Sequence, residues 1–259
     1  MLITLTTDFG TTDHFTGTMK GVILGFAPKV TLVDISHEVR PFEILEGGFV
    51  LALAYKWFPK GTIHMIVVDP GVGTERRPVL VEAAGQYFIA PDNGVLSMIY
   101  LAEKHKVREI TNKKYWLPKV SRTFHGRDVF APSAAHLALG MRPPTFGKLI
   151  HDYVQLSQVT PVRQSRRAWT GTVLHQDRFG NLITNLHIDE FDDVRKGPFE
   201  ISVGLQRVTR LALAFADCDP GELFVIVGSS GYLEVAVNQG SAAKQLGCGT
   251  GAPVDLIFF

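Results

Sequence analysis

One stretch sets most of what this chain can become. Residues 63–68 (Ile-His-Met-Ile-Val-Val) are apolar and β-branched apart from His64 and Met65, and they stop hard at Asp69-Pro70-Gly71-Val72-Gly73. A short apolar run bounded by turn residues reads as a fully buried strand. Buried strands belong to open α/β sheets, where ligands gather at the carboxyl ends of strands. An acid at such an end, followed by Pro-Gly-x-Gly, can be held rigidly while backbone approaches a ligand closely. Arg76 lies just beyond, and a tight loop can fold it back onto Asp69. The competing reading is a surface turn with a capping Asp and solvated arginines.

The flanking sequence repeats this β-loop-α rhythm. Residues 2–7 read as a strand ending at Asp8-Phe9-Gly10. Residues 14–26 read as a helix with Phe15, Met19, Val22, Ile23 and Phe26 on one face, closed by Pro28. A strand at 30–35, a helix at 44–57 and the strand at 62–68 follow. Next come a hairpin at 79–83 and 87–90 around Gly85, then helices at 95–103 and 128–139. This alternation predicts an α/β fold, a mostly parallel sheet with helices on both faces. The character changes near Pro161. Residues 162–168 are basic and polar. Beyond them short strands dominate, at 171–175, 182–186, 199–203, 223–227, 232–237 and 254–258, and predict a smaller antiparallel β domain. The expected organisation is an N-terminal α/β domain over 1–160, a linker over 161–168 and a C-terminal β domain over 169–259.

Composition narrows the function. A chain of 259 residues buries a core without staples, and a net charge of +1 argues against general nucleic-acid or membrane-surface binding. Cys218 and Cys248 are the only cysteines, with no metal-like spacing. Met1 leads straight into a strand without a signal peptide, and no run is long enough to cross a bilayer, so a cytoplasmic protein is expected. No GxGxxG follows the first strand, no Walker loop is present, and Asp8-Phe9-Gly10 lacks the other kinase motifs. No metal and no organic cofactor are implied.

Four places could carry chemistry. Asp8 and Asp69 end parallel strands, so both carboxylates can share one crevice, where an acid accepts ribose hydroxyls; the alternative is a helix cap, for which Asp13 serves equally. His125, in Thr123-Phe124-His125-Gly126-Arg127-Asp128, falls in a loop where an imidazole can reach a site. Arg127 and Asp128 can simply pair. In Asp177-Arg178-Phe179-Gly180-Asn181 the Asp and Asn suit an amino-acid head group, or an Asx-turn. Gly228-Ser229-Ser230-Gly231-Tyr232-Leu233-Glu234 offers hydroxyls and backbone to a base.

Taken together, TTDFGTTD, VVDPGVGTERR, PDNG, TFHGRDVFAP, DRFGN and GSSGYLEVAVNQGSA resemble one family, the S-adenosyl-L-methionine (SAM) hydrolases or SAM hydroxide adenosyltransferases, relatives of the SAM-dependent fluorinase and chlorinase. The match runs in order from Leu2 to about Ala242. The resemblance implies hydrolysis of SAM to adenosine and L-methionine by a homotrimer, with SAM between the N-terminal domain of one subunit and the C-terminal domain of the next. It places a catalytic trio on Asp69, Arg76 and His125. It places the ribose acid on Asp8 and the methionine end on Asp177 and Asn181. Ser229, Tyr232, Glu234 and the backbone of Val237 fall on the adenine side, and Phe42, Phe179 and Phe215 on aromatic walls. Phe42 departs from the fluorinase, which carries a Trp there. The halogenases carry a tyrosine where this chain has Asp69, and the fluorinase has an insertion in the hairpin that here is compact.

The chemistry fits those residue types. Attack at the 5′ carbon of a sulfonium expels a neutral thioether, so the difficulty lies with water as nucleophile. Arg76 stays protonated and stabilises a hydroxide-like oxygen. Asp69 beside it orients, and His125 is expected to take or relay the proton. A chlorinase on the same fold and a non-catalytic adenosine or SAM sensor are the rivals. A haloacid-dehalogenase-type phosphohydrolase would need an acid where Gly10 stands.

Overall fold

A computed structural model describes all 259 residues, which divide into two compact units, Met1–Leu156 and Ser157–Phe259. In the first unit, strands β1 (Leu2–Thr7), β2 (Thr31–Ser36), β3 (Ile63–Val67), β4 (Pro78–Ala83), β5 (Gln86–Pro91), β6 (His105–Glu109) and β7 (Leu149–Ile150) form one sheet in the order β2-β1-β3-β5-β4-β6-β7. The first four in that order are parallel, and β4, β6 and β7 extend the sheet antiparallel. Strand alternation sorts the core. Ile63, Met65 and Val67 pack with Met19 and Ile23 of α1 (Phe15–Phe26) and with Ala131 and Ala134 of α4 (Ala131–Ala138). Ile66 points the other way, to Leu51 of α2 (Ile44–Ala54) and Ile99 of α3 (Ser97–Ala102). Helices therefore cover both faces, as the sequence pattern implies.

Several boundaries differ from expectation, each for a local reason. The helix expected over 128–139 begins as a π-helical turn, Gly126–Phe130, and becomes α-helical at Ala131. Pro132 has no N–H to return to the Asp128 carbonyl, and that carbonyl instead accepts from the Leu117 N–H at 2.9 Å. The expected 95–103 helix shrinks to Ser97–Ala102, because Asn93 and Gly94 tie Val95 and Ser97 into a preceding turn. The 44–57 helix tightens to a 3₁₀ turn over Tyr55–Trp57. Strands β6 and β7 were not foreseen: His-Lys-Val-Arg-Glu has little apolar signal, and β7 has two residues.

The second unit is a curled sheet. Its strands are β8 (Val162–Arg163), β9 (Ala168–Gln176), β10 (Leu182–His187), β11 (Phe199–Val203), β12 (Gln206–Val208), β13 (Leu211–Ala212), β14 (Leu223–Val227), β15 (Tyr232–Val237) and β16 (Pro253–Phe258). They run in the order β12-β11-β16-β9-β10-β15-β14-β13, with β8 beside β9. All pairs are antiparallel except β13 with β14. The residues read as a linker, 161–168, carry β8, which turns back to pair with Thr170 and Trp169. A short helix, α5 (Ala242–Leu246), follows β15 with Ser241 as its cap. No helix of the protein is long and apolar enough to cross a membrane.

Candidate active site

Strand β3 delivers Asp69 two residues past its end, and the following loop folds back as expected. Val72 N–H bonds the Asp69 carbonyl at 3.2 Å, and the Thr74 hydroxyl bonds the Gly71 carbonyl at 2.6 Å. Gly73 is the closure point. It has a φ of 78°, and a Cβ there would run into the Arg122 carbonyl. Only glycine lets this loop lie against the segment that leads to His125.

Arg76 is thereby returned to Asp69. Its Nε donates to both carboxylate oxygens at 2.9 Å, and Nη2 donates to Oδ2. The two side chains are only 8% and 4% exposed, so this is a buried fork-to-fork pair. Arg76 Nη2 also lies 2.9 Å from His125 Nδ1. Arginine only donates, so Nδ1 is the acceptor and neutral His125 carries its hydrogen on Nε2. Burial, then the Arg76 charge, holds the His125 pKa below its ordinary value, against an opposing pull from Asp69. The guanidinium sits over the Phe130 ring at 5.1 Å, and Nη1 is buried with no partner. Beside this network is a cavity of about 40 Å³, lined by Asp69, His125 and Thr123 among the apolar Phe9, Val67 and Phe124. It is large enough to hold water. Arg127 and Asp128 stand outside it. They pair at 2.6 Å, and buried Asp128 accepts the Ser121 N–H at 2.7 Å, which fixes the loop before His125.

Asp8 directly follows β1, the strand next to β3. Burial raises its pKa, the Phe42 N–H at 2.9 Å opposes this, and the Asp69 charge adds to it, so the two carboxylates feel each other. The capping alternative fails for both Asp8 and Asp13, because the N-cap of α1 is His14 and no side chain caps it. Phe42 has a φ of 72° and is 71% exposed, an unusual state for a bulky apolar residue.

In the second unit, Asp177 serves its own turn. Its Oδ1 accepts the N–H groups of Phe179 and Asn181 at 2.9 and 2.8 Å, and Oδ2 accepts from Asn181 Nδ2 at 2.9 Å. A pocket of about 750 Å³ is lined by Phe179, Phe215, Asn181 and Val237 together with Gln239, Ser241 and Lys244. Gly180 packs so closely on Ser241 that a Cβ would strike it. The sequence reading missed the Gln239–Lys244 side of this pocket, although the Asn-Gln-Gly-Ser turn signal was there to be read. Ser229, Tyr232 and Glu234 are not in the lining. Tyr232 opens β15 and Val237 closes it, about 16 Å along an extended strand. Burial and repulsion from Asp177 raise the Glu234 carboxyl to about 7, and burial raises the Tyr232 hydroxyl. No group of three or more His, Cys, Asp or Glu side chains is placed to hold a metal ion.

Residues 3–147 match the SAM hydroxide adenosyltransferase N-terminal domain, and residues 171–255 match the corresponding C-terminal domain. The chain belongs to this family. An (R)-S-adenosyl-L-methionine hydrolase of Thermus thermophilus is 37% identical, over 96% of this chain and 97% of its own. A fluorinase of an Actinoplanes species is more distant, at 28% identity over 92% and 91%. The crystal structure of an uncharacterized conserved protein from Thermotoga maritima superposes with a TM-score of 0.89 at 37% identity, covering 99% of this chain and all of the other. The family assignment agrees with the resemblance carried by the motifs, and both family domains are represented.

Proposed function

We propose that this protein hydrolyses S-adenosyl-L-methionine to adenosine and L-methionine. The observation that carries the reading is the buried Asp69–Arg76–His125 network walling a water-sized cavity, with Arg76 Nη1 left as an unpartnered donor. Near-full-length relatives named as (R)-SAM hydrolases support the same substrate.

The reaction is an in-line displacement. The water oxygen bonds to the ribose 5′ carbon, the C5′–S bond breaks with its electron pair going to sulfur, and one proton leaves. No general acid is required, since the thioether departs neutral. Held in line, water recovers on the order of 7–11 kcal/mol at best. Arg76 stabilises the developing hydroxide in a dry site, and Asp69 fixes the guanidinium and orients the water. His125 holds Arg76 through Nδ1. It takes the proton only by turning that nitrogen away, which makes it an anchor before it is a relay.

Asp8 keeps Oδ1 for the ribose hydroxyls, with Oδ2 held by Phe42. The Phe179–Phe215 pocket, with the amides of Asn181, Asn238 and Gln239 in its lining, suits a flat heterocycle with several polar edge atoms, so adenine belongs there. Asp177 acts through Asn181. Ser229, Tyr232 and Glu234 then remain for the polar methionine end. Phe42, Phe179 and Phe215 are 71%, 77% and 42% exposed, rings that a ligand or a second copy would cover. The assembly is a cytoplasmic homotrimer, with SAM shared between the first unit of one subunit and the second unit of the next; light scattering tests the stoichiometry.

The deciding experiment incubates the protein with each sulfonium epimer of SAM in ¹⁸O-water, with and without excess chloride. Adenosine labelled at the 5′ oxygen, formed regardless of chloride, supports the hydrolase. A chloride-dependent chloronucleoside would make it a halogenase. Saturable binding without turnover would make it a sensor.

A further inference from the structure

The loop between β2 and α2 is tied down more tightly than a connection needs. His37 accepts the Gly10 N–H through its carbonyl at 2.7 Å, and its Nδ1 meets the Thr7 hydroxyl at 2.8 Å. Val39 N–H bonds the Thr7 carbonyl at 3.3 Å. Next, the carboxylate of Glu46, on the first turn of α2 and buried to 3% exposure, takes both the backbone N–H of Arg40 at 3.3 Å and its Nε at 2.8 Å. Only Pro41 separates that anchor from Phe42, which has a left-handed φ of 72° and donates its N–H to Asp8 Oδ2 at 2.9 Å.

A bulky residue in this region persists only where its surroundings over-determine it. Here Arg40 is held from one side and Phe42 from the other. A neutral side chain at 46 would weaken the grip on Arg40, and the strained residue two positions on could relax towards ordinary backbone. Its N–H would then leave Asp8.

We propose that Glu46, through Arg40, is a positioning residue for the ribose-binding end of the site. It holds Phe42 in its left-handed conformation, so that the amide of Phe42 fixes one oxygen of Asp8 and leaves the other presented to a vicinal diol. The inference rests on the SAM-hydrolase reading for its substrate, but the clamp itself is a property of the free protein. Glu46 touches neither substrate nor the trio in this scheme.

The test uses the full-length protein and two variants, Glu46→Gln and Phe42→Gly. The carboxyl titration of Asp8 is followed by NMR in the absence of substrate, and turnover of SAM is measured alongside. Glu46→Gln is expected to move the Asp8 titration upward, because the amide that opposes its protonation is released, and to speed exchange of the Phe42 amide. It should raise KM about tenfold, the worth of one hydrogen bond to a charged group, with kcat little changed. Phe42→Gly relieves the backbone strain but keeps the amide. It should leave the Asp8 titration near wild type, which separates the clamp from the ring. An unmoved Asp8 titration in folded Glu46→Gln overturns the proposal, as does a loss confined to kcat. If Glu46→Gln does not fold, Arg40→Ala replaces it with the same expected signs. Failure of the wild type to turn over SAM sinks the hydrolase reading, and the Asp8 titration still decides the clamp.

Discussion

Two turns in this molecule are written in nearly the same residues and are used in opposite ways. Both Asp69-Pro-Gly-Val-Gly and Asp177-Arg-Phe-Gly-Asn place an acid ahead of a glycine with positive φ. Asp177 spends its oxygens on its own turn, taking two backbone N–H groups and the Asn181 amide. Asp69 gives its oxygens to Arg76, seven residues on, and its loop closes through the backbone and Thr74. The difference is where the acceptor capacity goes. The Asp177 carboxylate holds its own turn, whereas the Asp69 carboxylate, engaged with a buried cation that keeps an unpartnered Nη1, walls the cavity proposed to hold the attacking water.

This contrast can be broken experimentally. The largest effect should come from Asp69→Asn, which keeps the shape but strands a buried guanidinium. Turnover should fall about 10²–10³-fold, as for loss of an oxyanion donor, because Arg76 loses its alignment. Asp177→Asn should leave kcat within about tenfold and act mainly on KM. Equal kcat losses in the two variants would erase the distinction. Next comes Gly73→Ala, where strain and the Arg122 carbonyl together should cost about 1–3 kcal/mol in denaturant unfolding and lower kcat as Arg76 shifts. Asp177→Ala, losing several hydrogen bonds from one turn, should cost about 2 kcal/mol and raise KM without a comparable fall in kcat.

The smallest effect is also the most specific. In the first unit His125 and His64 have lowered pKa values, His64 to about 4, in both cases chiefly from burial. Their unfolded forms bind protons first, so the stability they support is lost as pH falls below about 6.5. In the second unit Glu234 is raised to about 7, so its folded form binds a proton first. The stability it adds is present near pH 4.5 and is lost as pH rises through 7. Amide exchange at pH 5 and pH 7.5 should therefore show the two units responding in opposite directions. His125→Gln should blunt the response of the first, and Glu234→Gln that of the second.

Much of this was legible in the residues, and what was not has physical causes. The apolar run before Asp69 and the helical spacing of Met19 and Ile23 fixed the sheet and its covering, because burial leaves a periodic trace. The fold-back of Arg76 was readable from loop length and glycine content. The hydrogen on His125 was not, since it depends on a neighbour 49 positions away that can only donate. At Asp177 the sequence suits an amino-acid head group or an Asx-turn, because both need the same letters, and only the hydrogen bonds reveal the turn. Pro132 was visible. That its missing N–H would open a wider turn at Gly126 was not, because the Asp128 carbonyl needed another donor, supplied by Leu117.

The edges of the first sheet carry a last implication, for association and solubility. At one end β7 covers only Val107 and Arg108 of β6, so His105 and Lys106 have no β7 partner beside them. At the other end β2 carries Asp34, ion-paired with Lys20 at 2.6 Å. Charged side chains on a sheet rim discourage another chain from adding a strand. Self-assembly of this protein is thereby steered away from sheet-to-sheet extension and towards contacts between faces and loops. A Lys106→Val change is the substitution to avoid in any preparation that has to stay clear at high concentration.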